Sequence, residues 1–325
     1  SEINVIDICT PPYTHADFII KALEHGKNVI CEKPLTGYFG KENDIAPIGK
    51  TVSKKKMYEE LIKDIDNLKL TIENSDKLFM YAENFIYAPA IQRAAELISA
   101  KKSKILYMKG EESLKGSSSP VAGEWCKTGG GTFIRTGSHP LSAILWLKQK
   151  EAEARNEQIK LVNVIADMSQ VTSSLNDYEH RHISAKPNDV EDCGTVILTF
   201  SDNSKAIIIA TDTLLGGSKN YLQLYCNDIA INCNLTLSNL METYLLDEEG
   251  MDNIQLSEML PSKLGWNKPF VADETIRGYI GEMQDFAECV SFKRKPKSDF
   301  KLAYDTIKTI YAAYCSAEKG EKILL

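Results

Sequence analysis

VIDICTPPYTHADFIIKALEHGKNVICEKPL, residues 5–35, alternates apolar runs with polar motifs. Val5 to Cys9 is a β-rich apolar run, Ala16 to Leu23 carries apolar residues at helical spacing, and Gly26 supplies a helix stop before a second β-rich run, Asn28 to Cys31. Strand, helix and strand joined by a short link form a βαβ unit, which pairs its strands in parallel. Downstream, Met57, Leu61, Ile65, Leu68 and Ile72 fall on one helical face, and Leu78 to Tyr81 reads as a third strand. Parallel strands end on one edge of their sheet, and open α/β sheets bind ligands there. Thr10, Glu32 and Glu83, each just past a strand, are therefore expected to gather at that edge.

After Pro89 the pattern changes. One helix, about Ala90 to Ser99, precedes β-rich runs at Ile105 to Glu111, Leu161 to Met168, Val196 to Thr213, Tyr221 to Leu237 and Tyr244 to Leu246. SDNS at 201–204 is a hairpin signal, so this region is predicted to hold a large, mostly antiparallel sheet. Apolar residues on both sides of VILTFSDNSKAIIIATD and YLQLYCNDIAINCNL predict an open sheet face covered by another subunit in a homodimer or homotetramer. Two amphipathic helices close the chain, Thr275 to Phe292 and Phe300 to Lys319, the second with Asp299 as N-cap and Gly320 as stop. The predicted domains are residues 1–88 and 89–325, with helix 300–319 packing back on the first. Residues 36–56 read as irregular.

Composition narrows the function. A net charge of −7 without a sustained Lys/Arg face argues against nucleic acid, whose backbone demands clustered cations. Lys54, Lys55 and Lys56, the tightest basic run, read as a solvated helix start. No apolar stretch reaches the ~18 residues of a membrane span. Eight scattered cysteines without a C-x-x-C pair fit a reducing, cytoplasmic setting. His180 and His182 lie in a polar stretch without a ligand set, so no metal is expected.

TPPYTH, GKNVICEKPL, YAENFIYAP and GGGTFIRTGSHP stand in the order and approximate spacing of the Gfo/Idh/MocA oxidoreductases, which the chain resembles over nearly its whole length. VEDCGTVILTFSDNSKAIII looks like that family's central sheet and YCSAEKGEKILL like its ending. The resemblance implies an NAD- or NADP-dependent transfer of hydride between nicotinamide and a carbinol of a sugar, polyol or related small molecule. It implies Lys33 of E-K-P as the catalytic acid or base. Hydride leaves a carbon as its hydroxyl loses a proton, and an amine shielded from water beside a cationic ring can have its pKa lowered. Alone, Lys33 would be a surface lysine before a rigid turn. Thr10, Pro11 and Pro12 resemble the loop against the nicotinamide and its ribose, with His15 behind it. Glu32 and Lys33 flank the same site, and Pro34 resembles a position often cis. Asn84 and Tyr87 resemble positions at the domain junction near the cofactor.

GGGTFIRTGSHP, 129–140, is close to the family's G-G-G-x-x-x-D-x-G-x-H. His139 matches the histidine, implying substrate binding or proton transfer. The aspartate is replaced by Arg135, which accepts no proton at physiological pH. Arg135 can instead clamp a substrate carboxylate or phosphate, or turn structurally toward an acidic neighbour such as Glu111 or Glu112. Trp125 can cover the nicotinamide or fill the interdomain core.

A dinucleotide fold seats pyrophosphate on G-x-G-x-x-G after its first strand, and no such motif occurs in this sequence. The fold class expected is therefore α/β: the remainder of a doubly wound parallel Rossmann sheet plus an α+β domain with a large, open-faced, mostly antiparallel sheet. On this reading the chain is the remainder of a longer enzyme. A non-catalytic binding or scaffold protein, and an NAD-dependent glycosidase of the same family, are the competing readings.

Overall fold

A computed structural model describes residues 2–236, 241, 243–249, 264–267 and 274–325. The opening segment forms β1 (Val5–Ile8), α1 (His15–Glu24), β2 (Asn28–Glu32), α2 (Ile48–Thr51), α3 (Lys54–Glu73) and β3 (Phe79–Ala82). β1, β2 and β3 make a parallel sheet in that order, with Ile8 opposite Cys31 and Cys31 opposite Tyr81. Helix α3 starts where Ser53 accepts a hydrogen bond from Lys56 N and buries Met57, Leu61, Ile65 and Leu68, four of the five residues in the row that the spacing predicts, while Ile72 is half-buried. Lys54 departs from the solvated reading: its Nζ lies 4.7 Å over the Trp125 ring and donates to Gly49 O at 2.6 Å. Burial lowers its pKa.

The chain continues through α4 (Pro89–Lys101), β4 (Ile105–Ser113), α5 (Trp125–Thr128), α6 (Ser138–Arg155), β5 (Leu161–Ser169), α7 (Asp177–His180), β6 (Cys193–Phe200), β7 (Lys205–Thr211), β8 (Lys219–Cys226) and β9 (Ala230–Asn234). Its seven-stranded sheet has the order β12-β5-β6-β7-β4-β8-β9, β12 being Ile323–Leu324. Every neighbour is antiparallel except β4 and β7, which run parallel. SDNS turns β6 into β7, with Asn203 at φ 68°. The run expected over Tyr221 to Leu237 is two strands, and Leu237 lies outside the described residues. β10 (Thr243–Leu245) and β11 (Gly265–Asn267) form a separate antiparallel pair.

The helix expected over Thr275 to Phe292 is two, α8 (Glu274–Arg277) and α9 (Tyr279–Phe292). Gly278 separates them at φ 98°, where a Cβ would sit 2.2 Å from Asn84 O. Helix α10 (Phe300–Lys319) is capped by Asp299, which accepts from Leu302 N, and ends at Gly320 in the left-handed region. It lies between the two sheets: Tyr304 Oη donates to Asp66 on α3 at 2.9 Å, and Ala166 N of β5 donates to Ser316 Oγ at 3.0 Å.

Alternate residues of the large sheet, Val196, Leu198, Ala206, Ile208, Leu222 and Leu224, are buried in the core that α6 and α10 share. The intervening residues face away. Ile165, Ile197 and Ile207 lie side by side across β5, β6 and β7 on that second face, partly or largely exposed.

Candidate active site

At the carboxyl edge of the parallel sheet, Glu32 ends β2 and its Oε2 accepts from Lys33 N at 3.2 Å. The Lys33–Pro34 peptide is cis. Lys33 Nζ donates to Arg135 O at 2.6 Å, tying the end of β2 to the segment that precedes α6. His15 is fully buried behind this edge; its Nδ1 is 2.9 Å from Pro34 O and its Nε2 2.8 Å from Thr10 O. It pins the two loops together and does not face the cleft. Thr10 Oγ1 lies 2.6 Å from Thr14 Oγ1, Pro11 is exposed, and Pro12 and Pro34 line the cleft beside Lys33.

Arg135 belongs to one π-helical turn, Phe133–Gly137, that runs into α6. Glu191 shapes the glycine turn before it, its carboxylate accepting from Gly131 N at 2.8 Å, Phe133 N at 2.9 Å and Tyr314 Oη at 2.9 Å. Gly131 is required there, because a Cβ would lie 1.8 Å from Glu191 O. Arg135 turns toward an acidic neighbour, which is Asp212 and neither Glu111 nor Glu112: its Nη2 donates to buried Asp212 Oδ2. Arg135 Nε is buried without a partner. Glu111 instead pairs with Lys219 at 3.0 Å.

His139, on the first turn of α6, is 4% exposed and stacks on Phe85 with centroids 4.6 Å apart. Its Nδ1 is 2.6 Å from Glu83 Oε1, a hydrogen bond that joins the end of β3 to α6. Burial pushes Glu83 up to about 8 and His139 down to about 3, the latter assisted by the nearby charge of Lys33. The pair is therefore a neutral hydrogen-bonded unit near neutral pH. Glu112 on β4 and Glu282 on α9 are also buried and raised by desolvation, Glu282 to about 9, and each has one carboxyl oxygen without a partner. Burial likewise raises Glu32. Among the cations whose charge moderates Glu112 are Lys33 and Arg277. Several buried carboxyls with raised pKa values thus lie within electrostatic reach of Lys33.

Sequence reasoning missed Glu191, Asp212, Arg277 and Glu282, and named Glu112 only as a neighbour for Arg135. The available signal for Glu112 and Asp212 was an acidic residue in or just after an apolar strand run, as in ILYMKGEES and IIIATD; Glu191, Arg277 and Glu282 carry no such signal.

A cleft of about 860 Å³ is lined by Pro12, Lys33, Pro34, Thr128, Arg135 and Thr136 among others. Two prolines give it a flat apolar wall, and the hydroxyls of Thr128 and Thr136 donate to Gly130 O at 2.7 Å and Thr132 O at 2.9 Å. No glycine-rich turn of pyrophosphate spacing exists among the 325 residues. Trp125 does not line this cleft: it is 2% exposed, packs on Tyr314 at 4.8 Å between ring centroids, and donates from Nε1 to Tyr38 O at 3.1 Å. Asn84 is also buried and donates to Arg277 O at 2.9 Å, bracing α8. Tyr87 Oη donates to Asp285 at 2.8 Å.

Residues 1–56 match the model of GFO_IDH_MocA, described as an oxidoreductase family with an NAD-binding Rossmann fold. Levoglucosan dehydrogenase of Pseudarthrobacter phenanthrenivorans is 56% identical over 34 residues, a segment spanning 10% of this chain and 9% of that relative. GenD2 from gentamicin A biosynthesis, solved with NAD, superposes on 99% of this chain and 78% of its own at a TM-score of 0.72 and 20% identity. The myo-inositol 2-dehydrogenase of Lactobacillus plantarum covers 100% and 81% at 0.66 and 16% identity. The scyllo-inositol dehydrogenase of Lactobacillus casei covers 99% and 79% at 0.67 and 16% identity. These likenesses show the fold. No helix among the described residues is long and apolar enough to cross a membrane.

Proposed function

We propose that this chain, a Gfo/Idh/MocA-family oxidoreductase by its matched segment and its fold, exchanges a hydride between a nicotinamide cofactor and a carbinol of a sugar or polyol. Lys33 is the proton-transfer group. The observation that carries this reading is Lys33 itself: it stands past the end of a parallel strand, on the wall of the 860 Å³ cleft, with Nζ 2.6 Å from Arg135 O.

When bound, the nicotinamide supplies the hydride acceptor or donor. Pro12 and Pro34 would hold the ring, and His15 fixes both prolines' loops through the carbonyls of Thr10 and Pro34. In the reductive direction Lys33 Nζ exchanges Arg135 O for the substrate oxygen and gives it a proton as hydride reaches the carbon; in the oxidative direction the neutral amine, its proton passed first to water in the cleft, receives the hydroxyl proton as hydride leaves. Glu83 and His139, buried behind, hold the first turn of α6 against β3 and so set the position of the Arg135 carbonyl. This makes them positioning residues in our reading. Residues 1–88 supply the nicotinamide side, and residues 89–325 the substrate side and the open sheet face, on which a second copy packs along Ile165, Ile197 and Ile207.

Because Asp212 matches the Arg135 charge, a neutral polyhydroxyl substrate fits the site better than a uronate or phosphate. The test supplies NAD or NADP with sugars deuterated at the carbinol carbon. Deuterium appearing at C4 of the reduced nicotinamide supports the reading, and its absence across neutral sugars, inositols and uronates contradicts it.

A further inference from the structure

The cleft beside Lys33 adjoins a second cavity of about 760 Å³, whose walls include Ala122, Asp177 and Arg181. Arg135, Ser117, Ser118 and Ser184 line both cavities. We propose that the second cavity is a subsite for the non-reacting part of the substrate, and that the substrate is a neutral glycoside of at least two rings. The inference rests on the assignment of the first cavity to the nicotinamide and the reacting carbinol.

Size supports this first. A ligand pocket holding one small molecule spans about 300–1,000 Å³, so the first cavity has room for a nicotinamide ring with one sugar ring, and the second offers space of similar magnitude for another unit.

The second cavity is also built rather than incidental. Ser184 N donates to Lys115 O at 2.7 Å, and Asn188 N donates to Gly123 O at 2.9 Å, lacing the two loops that form its walls. They touch at glycines: a Cβ on Gly116 would lie 2.3 Å from Ala185 N, and one on Gly123 would lie 2.1 Å from Lys186 O. A wall so closely joined keeps its shape without a ligand, which lowers the ordering cost of binding.

Its chemistry is polar and internally balanced. Arg135 is matched by Asp212, and Glu191 by Gly131 N, Phe133 N and Tyr314 Oη. Asp192 accepts from Val171 N at 2.7 Å and Thr172 N at 3.0 Å. Arg181 stacks on Tyr178 with its guanidinium 3.8 Å from the ring centroid and donates to Tyr178 O. What remains for a ligand is a row of serine hydroxyls, the Asp177 carboxylate and the side chains of His180 and Lys186, acceptors and donors suited to sugar hydroxyls. At the junction, Arg135 lines both cavities, its charge already matched by Asp212.

Saturation-transfer NMR and titration calorimetry with the whole chain and NADH would compare glucose and myo-inositol with cellobiose, maltose and trehalose. We expect at least one disaccharide to bind about tenfold tighter than either single ring, the equivalent of one or two added hydrogen bonds. Ala122→Trp, which fills the second cavity, lowers the disaccharide-to-monosaccharide affinity ratio about tenfold. Asp177→Ala, an exposed substitution that tests the subsite without overpacking, lowers the same ratio severalfold. Single rings binding as tightly as disaccharides, or a ratio unmoved in both variants, overturns the subsite alone. No binding by either class overturns the assignment of the first cavity and this inference with it.

Discussion

Glu83→Gln is the substitution whose effect follows most fully from the geometry. The carboxyl is fully buried, lies 2.6 Å from His139 Nδ1, and is pushed by burial from the ordinary 4.5 to about 8. The folded chain therefore keeps this proton until about pH 8, whereas the unfolded chain releases it near 4.5. The stability that protonated Glu83 contributes is fully present below pH 4.5 and is lost as pH rises toward 8, at about 1.4 kcal/mol per pH unit. Across that whole window the loss approaches about 5 kcal/mol. The glutamine amide does not titrate in this range and retains a polar partner for His139. His139, lowered from 6.5 to about 3, costs stability in the opposite direction, as pH falls through 6.5, and does so in both proteins. Above pH 6.5, where His139 is neutral in the folded and the unfolded chain, the difference between the two profiles reports Glu83; below it, Glu83 with its coupling to His139. Urea denaturation followed by circular dichroism and tryptophan fluorescence at pH 5, 6, 7 and 8 measures it. The variant should gain on wild type by about 3–5 kcal/mol from pH 5 to pH 8. A difference constant to within about 1 kcal/mol would show that Glu83 is not a buried proton holder.

Asp212→Asn leaves the Arg135 charge unmatched, so the KM for a uronate should fall about tenfold relative to the matching neutral sugar in steady-state assays. Gly131→Ala drives a Cβ to 1.8 Å from Glu191 O and should destabilise the chain by about 3 kcal/mol or more, read as a lowered midpoint in thermal melts. Ile207→Lys, in the middle of the second face of the large sheet, should convert a dimer or tetramer to monomer in light scattering at micromolar concentration; a wild-type monomer contradicts the packing of a second copy there.

The parallel edge was legible because its signals are local. Apolar runs of strand length, a helical row from Met57 to Leu68 and a glycine stop all act within a few residues of one another, and the structure reproduces them with shifts of one or two residues at the ends. The long helix α6 was less visible, since it is buried on nearly all sides and has no polar face to set a period. The break at Gly278 depends on the approach of Asn84 from far earlier in the chain, and no window around residue 278 contains that contact. Lys33 and Arg135 could be singled out from their motifs. Their relation could not: the bond from Lys33 Nζ to Arg135 O spans 102 residues. Asp212, Glu112 and Glu191 sit in or beside strands whose neighbours are set by the sheet order, so their gathering around the glycine turn and the cleft follows only once β4 lies beside β7. Trp125 shows the same limit from the other side. Two roles suited it in the sequence, and contacts from Lys54 and Tyr314 place it in the core.

At the centre of the proposed mechanism, Lys33 exchanges the proton of a carbinol whose hydride passes to nicotinamide. The most direct measurement is the single-turnover rate of nicotinamide reduction, at saturating cofactor, for wild type and Lys33→Met with a substrate found in the deuterium assay. A fall on the order of 100-fold or more is expected in the variant, with substrate affinity measured by calorimetry changed by less than about threefold. Equal rates in the two proteins would contradict the assignment of Lys33.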